Sequence, residues 1–276
     1  TGGNVNLPEE SSDTRTFGIV LTPDFLPSLA VTIDYFDITL DDAIAQLGGG
    51  AQATLNLCYL TVQDANSDFC QAVNRNPATG GIAVPFSLDV LQANIGAFET
   101  SGVDLQARYG FEVGIGRVDI STAWTYTDEF TATPMQDVPE NTNECVGSYG
   151  SICGEPIPEY KGVTRFTWTL GDLGVSLRHR FIDSVTTDRY VLPQRRGATP
   201  PPLATMTNPK LDAFNYFDLS LTYDFGDAVE IYGGINNVFD KDPPIIVGQG
   251  NYGNTYPATY DYAGMNMFVG VTVKTF

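Results

Sequence analysis

The chain has 276 residues, of which 42% are hydrophobic and 12% aromatic, and its formal net charge is −19. Such acidity excludes a nucleic-acid surface, which needs basic side chains against phosphate. Mean hydropathy is −0.08, and no apolar run approaches the ~20 residues of a membrane-crossing helix, which excludes a helical membrane protein.

The chain opens at Thr1 on a polar Gly/Asn segment without the apolar core of a signal peptide. Either a leader has been removed, or the sequence starts midway through a longer protein. Alternation then begins at Phe17, Ile19 and Leu21 and resumes at Leu29, Val31, Ile33 and Tyr35. A period of two puts successive side chains on opposite faces of a strand. A long polar connection, 41–92, follows; a short helix is expected over 41–47 and another within 55–70. The clearest strand comes next, with Val103, Leu105, Ala107, Tyr109 and Phe111 on one face and Asp104, Gln106, Arg108 and Gly110 on the other.

Further segments run through Val118, Ile120, Trp124 and Tyr126; Phe166, Trp168 and Leu170; and Val175, Leu177 and Phe181. Phe217, Leu219, Leu221, Tyr223 and Phe225 then alternate with Asp218, Ser220, Thr222 and Asp224. Val229, Ile231 and Ile235, and lastly Met265, Met267, Val269, Val271 and Val273, bring the total to nine segments. Connections at 23–28, 112–116, 171–174 and 226–228 are short, while those at 41–92, 128–160, 183–213 and 240–263 are long. Short and long alternate strictly, and 183–213, with Pro200, Pro201 and Pro202, reads as an irregular surface loop. Strands of about ten residues with every long loop at one end predict an all-β, antiparallel transmembrane β-barrel segment of about nine strands, with short periplasmic turns and long extracellular loops.

The four cysteines fall as two close pairs, Cys58 with Cys70 and Cys145 with Cys153, in polar stretches of two long loops. Of three pairings, the two local ones cost the least loop-closure entropy and imply an oxidising compartment. Metal binding is the rival reading, without a CxxC or clustered His to favour it.

No catalytic site is predicted. The lone histidine, His179, lies within a strand and reads as a strand-surface or girdle residue. Asp41, Asp42, Asp240 and Asp242 lack the spacing of a calcium loop. Trp124 and Trp168 fit an aromatic girdle better than a sugar platform. Two groups remain as candidate ligand contacts in the loops: the aromatics Tyr149, Tyr190, Tyr252 and Tyr256, and the arginines Arg189, Arg195 and Arg196. Guanidinium groups pair with the carboxylates of an anionic chelate, although neighbouring loop acids or lipid phosphates would occupy them equally well.

Four stretches resemble TonB-dependent receptors: 4–18 (NVNLPEESSDTRTFG), 31–38 (VTIDYFDI), 99–105 (ETSGVDL) and, most specifically, 234–244 (GINNVFDKDPP). The resemblance covers nearly the whole chain. It implies that residues 1–276 are the C-terminal portion of such a barrel, with the plug domain and N-terminal strands outside this sequence. It implies a bacterial outer-membrane location, in contact with outer-membrane lipid. The implied activity is import of a small, scarce nutrient (a ferric siderophore, cobalamin or a saccharide) with energy relayed by the TonB complex through the missing N-terminal region; no cofactor is implied. Phe276 resembles the terminal aromatic of the family's assembly signal, although it is even-numbered where Val269, Val271 and Val273 are odd. A structural or adhesive outer-membrane barrel and a soluble secreted β-sandwich are the alternatives.

Overall fold

The computed structural model describes residues 4–47, 51–83, 87–136, 142–226, 228–247 and 252–273. Two compact units divide the chain: Thr1–Thr14, Ile38–Thr100 and Thr131–Glu144 make the first, and Arg15–Asp37, Ser101–Phe130 and Cys145–Phe276 the second.

In chain order, strands β1 (Ser11–Leu21) and β2 (Ala30–Gln46) precede two short helices, α1 (Ala51–Asn56) and α2 (Asp68–Gln71), with a π-helical turn at Leu57–Val62 between them. Next come β3 (Gln92–Val113) and β4 (Gly116–Thr133), then the short β5 (Asn143–Glu144), β6 (Ser148–Gly150) and β7 (Gly154–Ile157). The hairpin of β8 (Tyr160–Leu170) and β9 (Leu173–Ile182) leads to β10 (Val185–Thr187), helix α3 (Asp188–Arg195) and β11 (Lys210–Leu211). The last long strands are β12 (Phe214–Phe225), β13 (Val229–Asn236) and β14 (Asn266–Val273).

The nine long strands form one open sheet in sequence order, β1-β2-β3-β4-β8-β9-β12-β13-β14. A sandwich needs two sheets packed face to face; here every long strand belongs to the same one. Two of the tight turns place glycine in the left-handed region, Gly114 at φ 60 and Gly171 at φ 55, a conformation that a β-carbon disfavours.

Cross-strand register shows what the alternation does in the second unit. Ile120 lies opposite Phe166, Phe166 opposite Leu177, Leu177 opposite Leu219, Leu219 opposite Ile235, and Ile235 opposite Met267. Directly paired residues share a face, so an unbroken apolar row crosses six strands. The other face carries rows such as Ser121, Arg165, Arg178 and Asp218. Asp104 belongs to this polar face, since its carboxylate accepts from the Thr125 hydroxyl at 2.5 Å; Val103, Leu105, Tyr109 and Phe111 therefore face the apolar side. Leu221, Phe225, Met267 and Val269 are exposed there, as a lipid-facing band requires.

Aromatic rings edge the band at both ends. Tyr126 and Tyr160 lie 5.0 Å apart, and Trp124 and Phe181 5.3 Å apart, toward the long loops. Tyr109 with Phe111, at 5.3 Å, and Tyr223 with Phe225, at 4.6 Å, sit toward the short turns. His179 is in the upper belt, stacked 4.8 Å from Phe217 and hydrogen-bonded through Nε2 to the side-chain Oδ1 of Asn215 at 2.7 Å. Trp124, Trp168 and His179 thus lie on the apolar strand face, where a girdle would place them.

Two expectations are corrected. Residues 41–46 are strand, the far end of β2 beside β3, where a helix is expected; side chains also serve their backbone, with Ile44 N–H donating to Glu10 Oε1 at 2.7 Å and Asn94 Nδ2 to Asp42 O at 2.8 Å. The 183–213 connection is ordered around β10, α3 and β11 and not irregular throughout. The helical expectation within 55–70 is met by α2 and the π-helical turn, and Phe276 lies outside the described residues.

Candidate functional site

Buried side chains gather in the long loops, because both faces of the open sheet are solvent- or lipid-accessible while each loop must bury its own apolar residues. In the first unit Leu47, Leu57, Cys58, Phe69, Val73, Val90 and Met135 form one core. The Cys58–Cys70 disulfide, S–S 1.98 Å, ties the π-helical turn to α2 within it. Beside the disulfide opens a cavity of about 520 Å³ lined by Tyr59, Gln63, Gln71 and Arg75 among others. The Arg75 guanidinium stands over the Tyr59 ring at 5.6 Å and donates to its hydroxyl. Sequence reasoning missed this pair; the available signal was that Arg75 is the sole basic residue between positions 41 and 92.

In the second unit three long loops build a joint platform. A four-stranded sheet, β11-β10-β6-β7, joins the loop after β4 to the loop after β9 through the parallel pairing of β10 with β6. Tyr149, Val185, Leu211, Tyr216, Ile246, Tyr256 and Tyr260 form the core beneath it, with Tyr149 and Tyr256 edge to face at 6.0 Å. Burial pushes the Tyr149 phenol up to about 12, aided by Tyr256 and Asp188, and pushes Tyr260 up as well. The Cys145–Cys153 disulfide, S–S 2.11 Å, closes the tip of the first of these loops. Asp188 fastens that tip to α3: its fully buried carboxylate takes Ile152 N–H at 2.6 Å and Cys153 N–H at 3.1 Å through Oδ2.

Both disulfides are those expected from the spacing. The candidate contacts fare differently. Tyr256 is 3% exposed and Tyr149 1%, so both serve as loop core rather than ligand-facing rings. Arg189 and Arg196 are exposed and Tyr190 is half-buried. Arg189 lies in the first turn of α3 and Arg196 just past its last residue, about 10 Å apart along the axis, so the arginines are spread along the helix and do not converge. Arg195 donates to Val146 O at 2.8 Å. Tyr252 opens a short 3-10 turn, Tyr252–Asn254, and its side chain is outside the described ones. The aspartates are structural: Asp41 accepts from Gln136 Nε2 at 3.1 Å, and Asp240 from Met265 N–H at 2.7 Å.

The 234–244 stretch has a physical basis. Asn237, 1% exposed and left-handed at φ 51, exchanges two hydrogen bonds with the backbone of Lys241, at 3.0 and 2.9 Å. Its N–H donates to Asp218 Oδ1 at 2.8 Å. Asparagine suits this place because it tolerates the left-handed region and carries both a donor and an acceptor. On the apolar face, Gly233 leaves a dent of about 650 Å³ lined by Leu219, Leu221, Ile231, Ile235, Met267 and Val269. With hardly a polar group at hand, it is part of the apolar band.

No curated protein matches the chain by sequence. Among solved structures, the ferric enterobactin receptor of Pseudomonas aeruginosa, as a mutant in complex with enterobactin, superposes with TM-score 0.58 at 18% identity, covering 98% of this chain and 32% of its own. The siderophore receptor PirA from Acinetobacter baumannii gives 0.53 at 14%, covering 96% and 32%. The copper transporter OprC gives 0.52 at 15%, covering 97% and 31%. The chain thus spans about a third of the length of these structures, and at such identities the likeness shows the fold. A family model described as "TonB dependent receptor-like, beta-barrel" matches residues 1–238. The chain therefore belongs to the TonB-dependent receptor β-barrel family.

Proposed function

We propose that this chain is the C-terminal part of the barrel of an outer-membrane receptor that binds a small nutrient and imports it with TonB-relayed energy. The observation that carries the reading is the braced loop platform on a two-faced sheet, which holds exposed Arg189 and Arg196 and half-buried Tyr190 on a rigid base. The enterobactin and siderophore receptors among the solved relatives favour a ferric siderophore over cobalamin or a saccharide. An anionic chelate suits guanidinium groups. The plug and the segment that meets TonB belong to the rest of the full-length protein, which sits in outer-membrane lipid.

The test is uptake of radiolabelled iron, presented as a panel of siderophores, by cells expressing the full-length protein with and without TonB. TonB-dependent uptake of at least one chelate is expected. Uptake that ignores TonB, or cell adhesion without any uptake, points instead to a structural or adhesive barrel.

A further inference from the structure

Between β8 and β9 the polar face of the sheet sets like charges next to one another. Arg165 on β8 lies directly opposite Arg178 on β9, and like charges so placed repel. One carboxylate, Asp218, is next in the row. A carboxylate offers about four lone-pair sites, and all are taken: Oδ2 by Arg178 Nε at 2.7 Å and Arg180 Nε at 2.9 Å, Oδ1 by Arg180 Nη2 at 3.0 Å and Asn237 N–H at 2.8 Å. Asp261, the other acid of this group, already pairs with Arg180 at 3.0 Å.

Arg165 is left with a neutral partner. Its Nη1 donates to the Ser176 hydroxyl at 2.9 Å, and among the described residues it makes no ion pair. The hydroxyl aims the guanidinium rather than neutralising it. In front of it lies a polar cavity of about 340 Å³ lined by Arg165, Arg178, Asp218, Ser220 and Asn236 with Leu219 and Phe268. An arginine pair facing a cavity, with its nearby carboxylates already engaged, has the charge and the space to hold an anion.

We propose that Arg165 and Arg178 form an oxyanion subsite on the interior wall, completed by a carboxylate or phosphate group held between the two guanidinium planes. The group comes either from a solute inside the barrel or from an acidic side chain of the polypeptide occupying the interior. The inference rests on this face lining the barrel interior and not on import.

The full-length receptor in detergent at low ionic strength separates the sources, with melting temperature read while inorganic phosphate is titrated. Wild type is compared with Arg165→Gln and Arg165→Lys. For a solute anion, phosphate raises the wild-type melting temperature to a plateau, and Arg165→Gln needs about tenfold more phosphate. For a protein carboxylate, phosphate has no effect and Arg165→Gln already melts several degrees lower without it. In both cases Arg165→Lys, which keeps the charge, falls between. An Arg165→Gln variant equal to wild type in both measurements, or a Lys variant as impaired as Gln, overturns the proposal.

Discussion

Replacing Asp188 by alanine should release two loops at once. The carboxylate accepts Ile152 N–H at 2.6 Å and Cys153 N–H at 3.1 Å, and each such charge-assisted bond contributes about 1.5–3 kcal/mol. Ile152 is exposed, so its amide regains water once the carboxylate is gone, which roughly halves its share. The net local cost is then about 2–4.5 kcal/mol, equivalent to roughly a 30- to 2,000-fold loss of protection against amide exchange. Hydrogen exchange with mass spectrometry on peptides from the Cys145–Cys153 loop and from α3 reads this directly. Asp188→Asn keeps an acceptor oxygen and should lose about tenfold. Unchanged exchange at Ile152 and Cys153, or faster exchange spread evenly over the long strands, refutes the bracing role.

Reduction of both disulfides should loosen the loops about Cys58–Cys70 and Cys145–Cys153, each by about 2.5–3 kcal/mol, while far-UV circular dichroism of the strands stays the same. Gly162→Val should destabilise by about 1–3 kcal/mol, because a β-carbon there would stand 2.3 Å from Trp124; a change in tryptophan emission accompanying lower urea resistance is the readout. Leu219→Arg on the apolar face should cost about 2–4 kcal/mol of insertion into vesicles, whereas Ser220→Arg one residue along should cost little. Tyr149 is neutral in the fold up to about pH 12, whereas an unfolded tyrosine ionises near 10. Its contribution is therefore complete below pH 10 and is lost as pH rises from 10 to 12; absorbance at the phenolate band should show it titrating after the exposed tyrosines, together with loop loosening, and ionisation near pH 10 would contradict the burial.

The strands were legible because each long one keeps a period of two across an apolar and a polar face, a pattern that register then only had to confirm. Cysteine pairing was legible too, since neighbours in sequence close cheaply. Residues 41–46 misled because Ala43, Ile44 and Ala45 suit a helix locally, while pairing with β3, which no local pattern announces, holds them extended. The loop sheet was invisible for a similar reason: Thr186 pairs with Ser148 in parallel, over strands too short to carry a periodic signal. Tyr149 and Tyr256 looked like surface aromatics amid polar neighbours, and only the platform, by bringing distant loops together, makes them core. Asp218 was read as one polar position among several, and nothing in its own strand marks the arginines and the Asn237 turn that converge on it.

That convergence bears on how the barrel avoids assembling out of step. Sliding one strand past its neighbour by a single residue would send every lipid-facing side chain inward and every charge outward, an error that repeated Val, Leu and Ser positions do little to penalise locally. Asp218 accepts from β9 on one side and from the turn after β13 on the other, and only one offset lets it satisfy both. It acts as a keyed pin through three successive strands, so that β9, β12 and β13 share a single alignment.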